Sequence, residues 1–510
     1  MLKVCPTVSN RQRASKKKAL TMKLKYFTIH TAAIAMMSVI MTACLGSDNE
    51  EIVLTHDAAI TAFSLGTLNQ YTHYTSSAGT DSVVKSTVNG SSYKFYIDQV
   101  SHEIYNTDSL PYGTDVAHVI CNVSSMNYAT IAIKNIASDT LKYYSNKDSI
   151  DFTQPRTFVA YSNSGTESAK YKVTVNVHQQ QPDVFNWTLL GEGLADLTHA
   201  DGDIRMRAVA TPDSFITLLS DGTTTHSAIY TMADGLLSSY INDNRQDTPM
   251  EANAYRSLTI TAGQPPVTIH QQHLYTIDLN TTAGPFWQDY NNYGDLTDIS
   301  QLVGYHTNRL YALTNDGKMK SAVFDASSSQ YVWHDEKIEE ANADAFPNDD
   351  LHLVALPAKG NDDIHTLVLI GHNTHINTSD NITIWVKTED NTDYAEETEW
   401  FLYKPTSDNR HTLPALTSLQ AIAYDGNIIV CGTTDDGQLS PLYISRDKGL
   451  TWEESTLFSL PADFAPDGSA YAMAVDSDNY IWLADGKNGK LWRGRLNRLG
   501  WATPETAITK

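Results

Sequence analysis

Ten arginines lie between Asp183 and Lys510, among carboxylates numerous enough to furnish any acid–base pair. Such groups could hydrolyse a glycosidic bond, one carboxyl protonating the leaving oxygen and a second serving as base or nucleophile. The sequence does not show which of them converge, so no catalytic residue is assigned. His270-Gln271-Gln272-His273 and His372-Asn373-Thr374-His375 have a spacing that would put both imidazoles on one helix face. In strand and loop, residues three apart point to opposite faces, so these pairs read as polar histidines, not as metal ligands. Acidic turns such as Asn348-Asp349-Asp350 and Asp476-Ser477-Asp478 read as bare turns rather than calcium loops. No His-Glu-x-x-His, Gly-x-Ser-x-Gly, phosphate loop or dinucleotide fingerprint occurs. No metal and no cofactor are expected. Tyr290 and Tyr293, in the irregular Gln288-Asp289-Tyr290-Asn291-Asn292-Tyr293, are the aromatics best placed to stack on a ligand.

The elements that must position these residues are strands. Thr, Ser, Val and aromatics dominate, turn residues recur, and long 3.6-residue periodicity is absent, so the fold class is all-β. Residues 185–510 contain a repeat. An aliphatic–aromatic pair is followed 9 to 15 residues later by Trp or Tyr. The pairs are Ile229-Tyr230, Leu274-Tyr275, Val323-Phe324, Ile384-Trp385, Leu442-Tyr443 and Leu491-Trp492, separated by 45, 49, 61, 58 and 49 residues. That is the length of a four-stranded propeller blade, which predicts a six-bladed β-propeller. Short apolar strands precede most pairs, as in Phe215 to Leu219 and Ile428 to Cys431. The second blade, around Pro265-Pro266, is the least regular, and Phe185 with Trp187 could supply an outer closing strand. Recurrence of Trp333, Trp400, Trp452 and Trp501 marks them as blade-packing residues rather than sugar platforms.

One repeat carries a family resemblance. Ser445-Arg446-Asp447-Lys448-Gly449-Leu450-Thr451-Trp452 resembles the Asp-box, S-x-D-x-G-x-T-W, of sialidase-like propellers. Asp447 can bond the turn amides, Gly449 tolerates positive φ and Trp452 packs back across the hairpin. Ser445 and Thr451 complete the motif. Thr388-Glu389-Asp390 with Thr398-Glu399-Trp400 looks like a loop-expanded, degenerate copy. In that family the box is structural and stands away from the catalytic face, so it speaks for fold. The F/Y-R-I-P signature of sialidases is missing. Asp203-Ile204-Arg205-Met206-Arg207 is the nearest approach, and Tyr255-Arg256-Ser257-Leu258 also departs from it.

The N-terminal half carries targeting signals. Lys23 and Lys25 precede the mostly apolar run Phe27 to Met41, and Met41-Thr42-Ala43-Cys44 resembles a bacterial lipobox. The expectation is a signal region over 1–43, of which 1–21 follow from a misassigned start. A lipidated tether over 44–55 would be acylated at Cys44 and so anchored to a membrane. The acidic Gly46 to Glu51 resembles the surface-export signal of Bacteroidota lipoproteins, which implies outer-membrane, surface-exposed display. An ordinary cleaved signal is the alternative. Residues 56–178 show strand alternation that closes in Thr157 to Tyr161, a turn, and Tyr171 to Val177. That hairpin resembles the last one of cadherin-like or Ig-like β-sandwich domains. A linker, 179–184, follows.

Composition narrows the partners. The chain has 36 basic and 59 acidic side chains, a net charge of −23, and the signal region removes eight of the basic ones. Such a surface repels phosphate backbones, so nucleic acid is not a partner. Cys121 and Cys431 lie in apolar strands and are expected as small buried hydrophobes, not as a disulfide. The whole resembles Bacteroidota surface lipoproteins with an N-terminal sandwich and a C-terminal sialidase-like propeller. It implies a non-catalytic binding or scaffolding protein whose propeller face engages a glycan or envelope protein. A glycoside hydrolase with a non-standard site is the rival, and a structural envelope component is the third reading.

Overall fold

The computed structural model describes residues 54–75, 81–192, 204–233, 236–241, 250–260, 265–279, 285–290, 295–328, 330–376, 381–390, 398–404, 408–466, 468–486 and 488–501. Cys44 and the signal region lie outside them. No helix among the described residues is long and apolar enough to cross a membrane. The chain divides into two compact units at Val177/His178.

In the first unit, a six-stranded sheet runs in the order Phe95–Asp98, Glu103–Asn106, Ser168–Thr174, Arg156–Tyr161, Thr130–Lys134, Leu141–Tyr143. Its pairs are antiparallel except Glu103–Asn106 with Ser168–Thr174, which is parallel. A separate ladder, Ile60–Leu65 with Cys121–Ser125, packs on it. Alternation explains the packing: Tyr171, Val173 and Val175 are buried while Lys170 and Lys172 face outward. Phe63 meets Phe152 and Phe158 edge-on at 6.1 and 6.0 Å. Cys121 is free and buried in the same core.

The strands of the second unit form six antiparallel sheets, the blades of a propeller. Their innermost strands are Arg205–Thr211, a bridge at Thr259, Ile299–His306, Asp349–Ala358, Thr417–Tyr424 and Tyr471–Val475. The second strands are the most apolar. Ser214–Ser220 is buried at every position, and Ile428 to Cys431 is fully enclosed. A second strand has a neighbouring blade on each face, so both faces must exclude water and period-2 alternation disappears. Blades approach closely where side chains are small. A Cβ on Gly304 would stand 2.8 Å from Leu353 Cβ of the next inner strand.

The second sheet is the irregular one, with Val267–His270, His273–Asp278 and Phe286–Asp289 and, among the described residues, a single bridge, Thr259 to Val267, on its inner side. The sixth sheet is closed by the start of the unit. Phe185–Gly191 pairs antiparallel with Lys490–Leu496 and supplies the outer strand. Trp501 therefore does not pack across its blade as the repeat suggests. It follows a short 3-10 turn and stacks on His178, ring centroids 3.5 Å apart.

Candidate functional site

The ends of the inner strands define two ends of the propeller axis. At the end where these strands begin, polar residues from all six sheets meet. Strand alternation puts Arg205 and Arg207 on one face, with Met206 buried on the other. The 3-10 turn Ala254–Ser257 delivers Tyr255 and Arg256, and the fourth inner strand delivers Asp349, Asp350 and His352. Ser418 and Gln420 come from the fifth sheet, Tyr471 from the sixth, and the Val303 carbonyl from the third.

Local backbone irregularity aims several of them. The register slips between Ile299 and Gln301, between Asp349 and His352, and between Thr417 and Gln420, at equivalent places in three successive sheets. Asp350 and Ser418 each take φ of 52° there, the left-handed region that non-glycine residues avoid. Bulges re-aim side chains, and retained strain of this sort accompanies sites.

The charges are cross-linked. Arg256 Nη1 lies 2.7 Å from Asp349 Oδ1. Arg205 Nη1 donates to Ser418 Oγ at 2.7 Å. Arg207 donates to the Arg256 and Val303 carbonyls at 2.6 and 3.3 Å. Asp350 accepts the Leu419 amide at 2.6 Å, with His352 Nε2 at 3.6 Å and His372 Nδ1 at 3.7 Å. His372 Nε2 contacts the Leu416 carbonyl at 2.7 Å, so that nitrogen carries the proton. Tyr471 donates to the Ser418 carbonyl at 2.8 Å. Two donors of this end, Arg256 Nε and Gln301 Nε2, have no hydrogen-bond partner.

Arg207 and Asp350 are densely surrounded by protein and yet keep accessible surface, which is the mark of a concave lining. Burial pushes the Arg207 guanidinium down to about 10, against the opposing pull of Asp350 and Tyr255. Burial alone would raise Asp350. The nearby His352 imidazole, the charge of His372 and the Leu419 amide outweigh it and hold the carboxyl below its usual range. Desolvation depresses His352 and raises Tyr255 and Tyr471. The mouth thus presents three cations against two carboxylates in a chain of net charge −23.

Residues 63–175 match the DUF6242 N-terminal domain, a domain of unknown function, and residues 181–504 match the DUF6242 beta propeller domain. The chain belongs to the DUF6242 family. A DUF6242 propeller is therefore the frame of the axial mouth. Among solved structures it is similar to a protein of unknown function from Bacteroides thetaiotaomicron VPI-5482, at 9% identity, 74% of this chain, 94% of that chain and TM-score 0.39. It is similar also to the Hadza microbial sialidase Hz136, at 10% identity, 88% of this chain, 96% of that chain and TM-score 0.36. The N-terminal domain of Nup159 matches at 10% identity, 62% and 96% coverage and TM-score 0.31. Likenesses this distant carry no argument about function. No curated protein matches.

The other residues singled out in the sequence lie elsewhere. Tyr290 is half-buried against the core between the second and third sheets, and its amide bonds the Leu274 carbonyl at 2.7 Å. Tyr293 lies outside the described residues. The turn at Ser445 to Trp452 joins the third and outer strands of the fifth sheet at the far end of the axis. Asp447 Oδ1 accepts the Thr451 amide at 2.8 Å and Ser445 Oγ at 2.9 Å, and Oδ2 accepts Thr451 Oγ1 at 2.6 Å. Gly449, at φ 96°, donates to Ser445 Oγ at 2.8 Å, and buried Trp452 donates to the Gly449 carbonyl at 3.0 Å.

The histidine pairs separate. His270 is buried and accepts the Glu251 amide at 3.2 Å, whereas exposed His273 faces Asp289 at 3.1 Å. His372 ends a second strand, not a loop, and belongs to the mouth, whereas His375 does not. No group of three metal-ligating side chains occurs among the described residues. Sequence reasoning missed Asp349, Asp350, His352 and Tyr471 as one site. Only the Arg205/Arg207 and Tyr255-Arg256 pairs signalled it.

Proposed function

We propose that the protein is an outer-membrane surface lipoprotein, anchored through Cys44, whose propeller binds an acidic glycan non-catalytically at the axial mouth. The first unit, on this reading an Ig-like or cadherin-like sandwich, acts as a spacer. The observation that carries the reading is the convergence of Arg205, Arg207 and Arg256 at one end of an acidic propeller. Arg205 and Arg256 keep accessible surface, so their guanidinium groups can donate to the acceptors that a carboxylated sugar offers. Lipidation and surface display rest on the lipobox-like Met41 to Cys44 and the acidic run after it.

A specific observation also favours hydrolysis, since arginines, tyrosines and carboxylates share the mouth. General acid catalysis needs a group with a pKa near the working pH. Asp350 is held low, Asp349 is engaged by Arg256, and both tyrosines are held high. Binding is the better reading. A glycan array with the purified protein tests it, followed by incubation of each hit and product analysis. Binding of acidic glycans that Arg256→Met weakens, with no product, supports the proposal. Release of a reducing sugar would establish the hydrolase instead, and indifference to Arg256→Met would remove the mouth from consideration.

A further inference from the structure

Four large apolar side chains stand exposed at one end of the first unit, the end at which the chain enters it. They are Leu54, Val100, Met126 and Tyr128. Hydrogen bonds bring their segments together. The ladder of Ile60–Leu65 with Cys121–Ser125 pairs Ile60 with Ser125, so the turn Met126–Tyr128 lies beside the entering chain. The Met126 amide donates to the Ala59 carbonyl at 2.8 Å, and Asn127 Nδ2 donates to Asp57 Oδ2 at 2.5 Å. Gln99 Nε2 donates to the Ile60 carbonyl at 2.7 Å, which places the turn that carries Val100 at the same end. The Thr55 amide donates to Asn163 Oδ1 at 2.6 Å and ties the chain next to Leu54 to the turn after Tyr161.

The exposure is built into the backbone. Asn127 and Tyr128 take φ of 47° and 58°, the left-handed region that a bulky residue such as tyrosine avoids. This conformation holds the Tyr128 ring outward, 94% exposed. Asp98 Oδ1 accepts the Val100 and Ser101 amides at 2.8 and 3.0 Å, and the turn so formed carries a β-branched valine, 92% exposed. Turns favour Gly, Asn, Asp and Ser at such positions. Single exposed apolar residues are ordinary on a protein surface, but four around one point of chain entry form a patch.

We propose that this end of the first unit rests on a lipid bilayer, with Leu54, Val100, Met126 and Tyr128 in the boundary between headgroups and acyl chains. The proposal rests on the reading that Cys44 is acylated. Nine residues, 45–53, separate Cys44 from Leu54. A chain of that length spans at most about 35 Å, so the anchor brings this end of the unit to the leaflet first. Tethering raises the effective concentration of a surface to about millimolar, at which a weak apolar contact is occupied. Tyrosine suits the boundary, with an apolar ring and a hydroxyl that stays wet. Asp57, Asp98 and Glu167 stand at the same end, so the contact draws on apolar burial rather than on attraction to anionic headgroups.

The acylated full chain on phosphatidylcholine vesicles provides the test. A polarity-sensitive fluorophore is attached through Val100→Cys, Tyr128→Cys or Ser138→Cys, one at a time. Cys121 and Cys431 are buried and leave the label to the introduced thiol. Ser138 lies in the turn at the other end of the strand Thr130–Lys134, flanked by exposed Ile136 and Leu141. Labels at positions 100 and 128 should shift to the blue and be quenched by nitroxide-bearing lipids, while the label at position 138 stays aqueous. Adding Val100→Ser and Met126→Ser to the chain labelled at position 128 should weaken docking by roughly tenfold and reverse most of the shift. Aqueous labels at positions 100 and 128 on vesicle-bound, acylated protein would overturn the inference and leave the anchor standing. A blue shift at position 138 alone would put the other end on the lipid and overturn it as well. So would a shift at position 128 that the two serines leave unchanged in a folded protein. Cys44 without acyl chains, read by mass spectrometry, would remove the anchor reading and the inference with it.

Discussion

Replacing Asp350 with Asn separates the two readings of the axial mouth by sign. The amide keeps the shape and an acceptor for Leu419 N, which lies 2.6 Å away, but removes the charge that faces Arg207, His352 and His372. Burial has already pushed Arg207 from its usual value down to about 10, which corresponds to about 3 kcal/mol against its charged form. Asp350 is the stronger of the two pulls in the other direction. Stripping one partner from a buried pair costs about 3–5 kcal/mol, and water at a channel mouth screens it toward about 2–3 kcal/mol. For a unit spanning His178 to Thr503, with unfolding entropy near 0.7 kcal/mol per kelvin, that is a fall in melting temperature of roughly 3–4 °C. Ligand affinity should move the other way. A carboxylate bound about 8 Å from Asp350 loses a repulsion of at most about 2 kcal/mol at an effective dielectric of 20, so binding should tighten by about tenfold. Calorimetry with an array-derived acidic glycan, at low salt and at about 0.5 M salt, reads the gain and its screening. Weaker binding or loss of turnover in a folded Asp350→Asn protein would refute the binding argument, and an unchanged melting temperature would refute the account of Arg207.

Four further expectations follow from the same structure. Asp476 accepts Trp482 Nε1 at 2.7 Å, Arg493 Nη2 at 2.9 Å and two turn amides, so Asp476→Ala should cost about 3–5 kcal/mol in urea unfolding. Arg493→Met combined with it should cost less than the two separate losses added. Cys121 and Cys431, each pushed up to about 12 by burial, should resist alkylation in the native protein at pH 8 and react fully in denaturant. His306, depressed by desolvation to about 4, binds its proton more readily unfolded than folded. Its contribution, on the order of 3 kcal/mol, should be present above pH 6.5 and drain away as pH falls toward 4. His270 and His352 act in the same direction, whereas raised Glu389 opposes them as pH climbs past 4.5. His306→Asn should flatten the acid limb of a melting-temperature profile. Deleting Phe185–Gly191 uncovers the strand Lys490–Leu496 and should produce aggregation measurable by light scattering.

The fold was largely written in local pattern. Alternation marked Tyr171, Val173 and Val175 as a core face, and the spacing of aliphatic–aromatic pairs announced six blades, because each blade must bury the same face against its neighbour. The residues from Ser445 to Trp452 largely determine their own turn, since the bonds among Ser445, Asp447, Gly449, Thr451 and the Trp452 indole are internal to it. Net charge argues against a nucleic-acid partner, and the proposed targeting rests on a segment whose chemistry is covalent and needs no fold. Tertiary structure decided the rest. Asp349 and Asp350 read as a bare turn, and His372 as a loop histidine, because nothing in their neighbours along the chain says that Arg207 lies across the axis, more than 140 residues earlier in sequence. The sequence offered both Phe185 with Trp187 and Trp501 for the last blade, and ring closure decided for Phe185–Gly191. A strand pairs with whichever free edge it meets in space, and a one-dimensional repeat cannot record which edge the closed ring leaves open.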